Sequence, residues 1–198
     1  MSSAADVSLA VGTAAQMRVL GRSLATLLRA GDLVILSGGL GAGKTTLTQG
    51  IGDGLGVRGP ITSPTFVIAR VHPALRAAAA ADRAVPPLTA PRPALVHADA
   101  YRLGSALELD DLDLDTDTAA SVTVVEWGEG LAEGLAADRL EITITPAAGG
   151  PEPGPGGADG DDDPADDAVD LPRTVRIVAV GERWEGVELP LASLANRL

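Results

Sequence analysis

Residues 38–45 of this 198-residue chain read Gly38-Gly39-Leu40-Gly41-Ala42-Gly43-Lys44-Thr45, a match to the phosphate-loop pattern G-x-x-x-x-G-K-[ST]. This run constrains the fold more than any other feature, because it works only between a buried strand and the start of a helix. Both neighbours are legible. Leu33-Val34-Ile35-Leu36 is a short continuous apolar run, as expected of a strand buried on both faces of a parallel sheet. A helix is expected from about Lys44 to Leu55. The glycines let the main chain curl so that successive N–H groups point inward at an anion. The helix N-terminus adds its partial positive charge. In such a loop Lys44 reaches the β- and γ-phosphates of a nucleotide and Thr45 offers its hydroxyl to Mg²⁺. Thr46 adds a contact on the α-phosphate side. Of 15 basic residues Lys44 is the only lysine. Guanine-reading loops usually carry an Asn/Thr-Lys-x-Asp motif, which needs a second lysine, so ATP is favoured by exclusion.

The rest of the chain reads as an α/β sheet built around that loop. Thr13-x-x-Gln16 fits a capping box. Met17, Leu20, Leu24 and Leu27 follow at helical spacing, and Gly31 can end the helix. Strands are expected at Thr65–Val71, Pro93–Asp99, Val122–Glu126, Leu140–Thr145 and Thr174–Val180. Ser105-x-x-Glu108 suits the cap of a short helix through Leu114. Gly130–Ala137 reads as helical, and Leu191–Leu198 as a closing helix. The two late strands, with no clear helix between them, predict an antiparallel pair at one edge. The expected fold is therefore a single P-loop NTPase domain over residues 1–198. Its central, mostly parallel sheet is flanked by helices and has antiparallel edge strands. Two low-complexity insertions interrupt it. Residues 72–93 are rich in Ala and Pro and read as a loop. Residues 146–172 combine Gly, Pro and Asp and are expected to be disordered.

Composition excludes several classes of function. The net charge is −12, and residues 146–172 hold eight acidic groups and no basic one, so the remainder carries only about −4. No basic footprint for gripping nucleic acid is present. Without cysteine there is no disulfide, thiolate metal site or cysteine nucleophile. No apolar run approaches the roughly 20 residues needed to span a bilayer, and the first ten residues lack a signal-peptide pattern. A soluble cytoplasmic protein is the expectation.

A P-loop NTPase needs a carboxylate at the end of a neighbouring strand to hold Mg²⁺ or its water shell. Asp99 and Glu126 both end apolar strands, and spacing alone does not decide between them. Three of the four aromatic residues, Phe66, Tyr101 and Trp127, lie beside these segments; the fourth is Trp184. Aromatics usually anchor cores, and a lone histidine such as His97 is more often structural than catalytic.

Four blocks read together add a family resemblance. Gly38–Thr46, Ser63-Pro64-Thr65-Phe66, His97-Ala98-Asp99-Ala100-Tyr101-Arg102-Leu103 and Val125-Glu126-Trp127 resemble, in order and content, the TsaE (YjeE) family of bacterial P-loop ATPases. The resemblance covers about residues 10–145 and 173–180. It implies a role in threonylcarbamoylation of adenosine 37 in tRNAs reading ANN codons, with TsaD and TsaB as partners. It implies that Lys44 and the backbone of Gly41, Ala42, Gly43, Lys44, Thr45 and Thr46 hold the phosphates. Thr45 and Glu126 would ligate Mg²⁺. Asp99 would lie near the γ-phosphate and support hydrolysis, and Ser63–Phe66 would form a nucleotide-sensitive switch. Glu129 and Arg173 fall at further nucleotide contacts, and Thr13 and Ala14 near the adenine. Gly39 stands where the family often has Asp, and Gly128 where proline is common. Neither change removes a reactive group.

The activity expected from these residues is Mg²⁺-dependent ATP hydrolysis, with Lys44, Asp99 and Glu126 as the working side chains, weak alone and raised by partners. Arg102 is a candidate arginine finger. Two alternatives stand beside it. A small-molecule kinase would close an arginine-rich lid, drawn from Arg70, Arg76, Arg83 and Arg92. A nucleotide-gated binding module would barely turn over.

Overall fold

The computed structural model describes residues 6–75, 92–103, 105, 108, 120–146 and 172–189. Within them lie seven strands in one sheet: β1 (Asp6–Val11), β2 (Leu33–Ser37), β3 (Ala69–His72), β4 (Ala94–Asp99), β5 (Ser121–Glu126), β6 (Arg139–Pro146) and β7 (Arg173–Val180). Two α-helices accompany them, α1 (Ala14–Ala25) and α2 (Lys44–Leu55). The spatial order is β1-β7-β6-β2-β5-β4-β3. The four central strands β6, β2, β5 and β4 run parallel, and β1, β7 and β3 pair antiparallel at the margins. The chain thus forms an α/β fold on a mixed sheet.

Side-chain alternation splits this sheet into two faces. Val34 and Leu36, Val122 and Val124, and Leu140 and Ile142 pack with Met17, Leu20, Leu24, Leu47, Ile51 and Leu55 of the two helices. Leu33, Ile35, Ala98 and Val125 face the other way, against Ala132 and Leu135. Among the described residues both α-helices therefore lie on one face. Every residue of β2 is buried, as its unbroken apolar sequence requires of a strand covered on both faces.

The two helices approach unusually closely because of their glycines. A Cβ at Gly50 would stand 2.4 Å from the carbonyl oxygen of Arg18, and one at Gly21 would stand 2.4 Å from that of Leu47. Gly54 meets Ala25 Cβ in the same way, at 2.5 Å. With hydrogen in place of methyl the backbones touch, and α1 presses the first turns of α2, and so the loop before them, onto the sheet.

Several sequence expectations need correction. The capping box at Thr13 is present, with Gln16 N–H bonded to Thr13 Oγ1 and the Gln16 side chain accepting from the Thr13 N–H. The helix nevertheless stops at Ala25, where Thr26 and Leu27 N–H turn back to Ser23 and Leu24 carbonyls. Gly31, at φ +90°, serves the turn into β2 instead. The strand expected at Thr65–Val71 begins only at Ala69. The Pro64 carbonyl captures the N–H groups of Val67 and Ile68, making a turn. Gly130–Ala137 supports only a 3₁₀ turn at Glu133–Leu135. The pair β6–β7 is antiparallel as expected, but β1, which the sequence reading did not mark, adds beyond β7 and forms that edge. Its alternating half-buried pattern suits an edge strand. The first residues of the 72–93 segment are ordered, since His72 ends β3 and Ala74 bridges Val57. Residues 76–91 of that insertion, the 147–171 stretch, the helix through Leu114 beyond its cap, and the closing helix at Leu191–Leu198 lie outside the described residues. The cap itself is present: Glu108 N–H donates to Ser105 Oγ at 3.3 Å.

Gly50→Ala is expected to lower unfolding stability by about 1–3 kcal/mol, because overpacking against helix backbone outweighs alanine's better helix propensity. Gly134→Ala, where an added Cβ meets nothing within 4 Å, should stay within about 0.5 kcal/mol of the parent. Urea unfolding midpoints of the two variants check this.

Candidate functional site

The loop between β2 and α2 is a cup of main chain. Gly38, Gly41 and Gly43 take φ values of +143°, +71° and +103°, the left-handed region that side chains rarely adopt. Gly43 caps α2 with no side-chain hydrogen bond, so the N–H groups of the first helical turn are open to an anion from outside. The cavity above the cup is lined by residues 40–46, Ser63, Thr65, Asp99, Glu126, Trp127 and Arg173. Ala14, Met17 and Gln49 complete its wall.

Lys44 is buried. Its Nζ donates to the carbonyl oxygens of Gly38 and Gly39, both at 2.9 Å, and lies 3.6 Å from the centre of the Trp127 ring. These three partners fold the ammonium back over the loop. Burial pushes its pKa below the ordinary lysine value, while the nearby Glu126 and Asp99 carboxylates pull it up again. Trp127 sits at φ +58°, and its ring also meets Tyr101 at 5.1 Å.

The two acids occupy different positions. Parallel pairing of β2 with β5 sets Leu36 beside Glu126. The loop then returns Thr45, whose hydroxyl lies 2.9 and 3.1 Å from the two carboxylate oxygens of Glu126. Asp99, paired with Glu126 across β4 and β5, is held elsewhere. Its Oδ2 accepts the Thr65 hydroxyl, and its Oδ1 accepts the Tyr101 N–H at 2.8 Å. Ser63 bonds Thr65 at 2.7 Å. Both acids are buried. His97, fully buried, brings Nε2 to 2.8 Å from Glu126 Oε1. No spacing rule in the sequence marks that contact; only the strand register reveals it.

The structure does not gather all the residues singled out from sequence. Glu129 is exposed and outside the cavity wall. The Thr13 hydroxyl is committed to its helix cap, and its neighbour Ala14 lines the cavity instead. Arg173 lines the cavity from β7, and its Nε comes within 3.8 Å of where a Cβ on Gly43 would stand. Phe66 and Tyr101 are not core anchors; they are 86% and 64% exposed at the rim. Arg102 lies over the Phe66 ring. Arg70 and Arg92 bond Thr62 Oγ1 and the Leu55 carbonyl, and neither enters the cavity wall, while Arg76 and Arg83 lie outside the described residues. Gln49 was not foreseen. It joins Arg18 of α1 to the Ile61 carbonyl, just ahead of Ser63.

The donor set fits a nucleotide with Mg²⁺. An alcohol and a carboxylate oxygen stand side by side where a small hard cation bound to phosphate would need two protein ligands. Among the described residues no cluster of three His, Cys, Asp or Glu could hold a metal on its own. Such a site would need phosphate oxygens and water to complete its shell.

Known proteins resemble this chain closely. The family model described as "Threonylcarbamoyl adenosine biosynthesis protein TsaE" matches residues 11–150. A Streptomyces coelicolor protein named tRNA threonylcarbamoyladenosine biosynthesis protein TsaE is 53% identical over 85% of this chain and 93% of its own. A Bacillus subtilis protein of the same name is 32% identical over 86% of this chain and 84% of its own. The crystal structure of Bacillus subtilis YdiB superposes with a TM-score of 0.61 at 24% identity. It covers 100% of this chain and 99% of that one, and supports the fold.

Because Lys44 is the only lysine, its titration can be read without assignment. In nucleotide-free protein labelled with ¹³C-lysine, the single side-chain signal should titrate below 10.5. The charged form is the one penalised by folding. Ligand-free stability should therefore rise with pH through that lowered value up to the unfolded one. A midpoint at or above 10.5 would show the Glu126 and Asp99 carboxylates outweighing the burial penalty on Lys44.

Proposed function

The chain belongs to the TsaE family of tRNA threonylcarbamoyladenosine biosynthesis proteins, and from that membership we propose that it is a cytoplasmic Mg²⁺-dependent ATPase acting with TsaB and TsaD. One observation carries the reading: the Thr45 hydroxyl and the Glu126 carboxylate meet at 2.9 Å beside a glycine cup whose single lysine is folded over it.

Each step falls to a residue already described. The N–H groups of residues 41–46 bind the phosphate oxygens, and Lys44 leaves the Gly38 and Gly39 carbonyls to reach the β- and γ-phosphates. Thr45 and Glu126 would hold the cation, which would supply positive charge to offset that developing on the phosphates. Arg173 and Met17 border the loop on the side of α1 and β7, with Ala14 beyond them toward the adenine. Asp99 orients the attacking water and takes its proton. In the present arrangement each Asp99 oxygen already accepts one hydrogen bond, from Thr65 and from the Tyr101 N–H. These bonds lower the basicity of the carboxylate, and movement of the Ser63–Phe66 segment away from Asp99 would restore it. That coupling gives a physical reason for slow turnover alone and for acceleration by a partner that moves the segment. The acidic chain has no need to hold tRNA itself.

Phosphate release and ATP affinity, measured with and without TsaB and TsaD, test this reading. Lys44→Ala should lose most ATP affinity while keeping the fold. Asp99→Asn should keep ATP affinity near the parent and lose about 10²–10⁴-fold in hydrolysis. Unchanged affinity in Lys44→Ala, or unchanged turnover in Asp99→Asn, would overturn the assignment.

A further inference from the structure

His97 is an expensive residue for its place. It is fully buried in β4, among strand residues that are otherwise mostly apolar. Among the described residues its Nδ1 has no hydrogen-bond partner. The nearest ring, His72 of β3, lies 6.5 Å away and has its own unpartnered Nε2. A leucine or phenylalanine would fill such a position without leaving a polar atom unpaired, which costs about 1–3 kcal/mol. An unpaired buried nitrogen asks for a compensating use of the other one.

That use is visible. An ionised carboxylate only accepts hydrogen bonds, so the contact at 2.8 Å to Glu126 Oε1 requires the proton on Nε2. The geometry thereby places a proton on Nε2 of His97, directed at Oε1. Two donors then converge on Glu126, Nε2–H of His97 from below and the Thr45 hydroxyl from the loop. The imidazole bonds Oε1 alone, while Thr45 spans both oxygens. The carboxylate is held in one rotation, with Oε2 left to the Thr45 side.

We propose that His97 is the positioning residue for the cation site, holding the Glu126 carboxylate in the orientation that ligates Mg²⁺ together with Thr45. It touches neither nucleotide nor metal. The assignment rests on the reading of Thr45 and Glu126 as metal ligands. Outer hydrogen bonds of this kind are typically worth 10–100-fold in metal affinity.

The test uses Mn²⁺ as the probe, counted by electron paramagnetic resonance in the protein–ATP complex. Nucleotide affinity in EDTA and melting temperature are measured alongside. His97→Leu, or His97→Met where leucine does not fold, should weaken Mn²⁺ binding about 10–100-fold and leave metal-free nucleotide affinity within about twofold. His97→Gln, whose amide nitrogen can stand in for Nε2–H, should recover most of the Mn²⁺ affinity. A merely structural histidine would lower both affinities together, and glutamine would not rescue selectively. Either that pattern or an unchanged Mn²⁺ affinity overturns the proposal. A second measurement needs no variant: ¹⁵N spectra of histidine in the intact protein should show His97 protonated at Nε2, and an Nε2 without its proton overturns it. Thr45→Val separates the two levels of the argument. If the parent binds no Mn²⁺–ATP, or Thr45→Val leaves that binding intact, the ATPase reading fails. If Thr45→Val weakens it and the His97 variants do not, only the positioning role falls.

Discussion

The hydrogen bond between Thr45 and Glu126 is the interaction on which the site depends, and it is a consequence of strand register. β2 and β5 pair in parallel with Leu36 opposite Glu126. Trp127 N–H then closes onto the Leu36 carbonyl at 2.8 Å. The chain leaves β2 one residue later, curls through the glycines and comes back as the first turn of α2, with its second residue over the end of β5. Shift that register by one residue and Glu126 would point to the opposite face of the sheet, and the loop would keep its shape but lose its acid.

Everything else in the fold serves to keep that return path short. Glycines at positions 21, 50 and 54 let α1 and α2 touch backbone to backbone. β2 is locked between two parallel neighbours, β5 and β6, so the loop springs from a strand buried along its whole length. The cost appears at Lys44, a cation held in a buried place and satisfied by two loop carbonyls and an indole face. In the proposed function phosphate oxygens would replace those contacts, as a site that releases and rebinds its ligand would require.

Local signals carried much of this into the sequence. The buried strand, the loop, the limits of α2 and the Thr13 capping box were legible because each rests on neighbours within a few residues. The failures are of two kinds, distant pairing and competing local turns. β1 was missed because its partner, β7, lies more than 160 residues away, and an edge strand shows only weak alternation. The Thr65–Val71 stretch looked like a strand, but Pro64 offers a carbonyl that two following N–H groups take up as a turn. Glu129 was carried over by resemblance and faces solvent, since the chain turns away after Trp127. Asp99 and Glu126 could not be told apart from spacing. Their difference lies in partners, Thr65 for one and Thr45 and His97 for the other, and the bonds to Glu126 span 81 and 29 residues.

A crystal structure of the chain with Mg²⁺ and a non-hydrolysable ATP analogue tests the central claim most directly. The account predicts the triphosphate in the cup of residues 38–45, Lys44 swung from the Gly38 and Gly39 carbonyls onto it, and the cation between Thr45 and Glu126. A triphosphate bound away from the cup, or a cation ligated by Asp99 with Glu126 uninvolved, would contradict it.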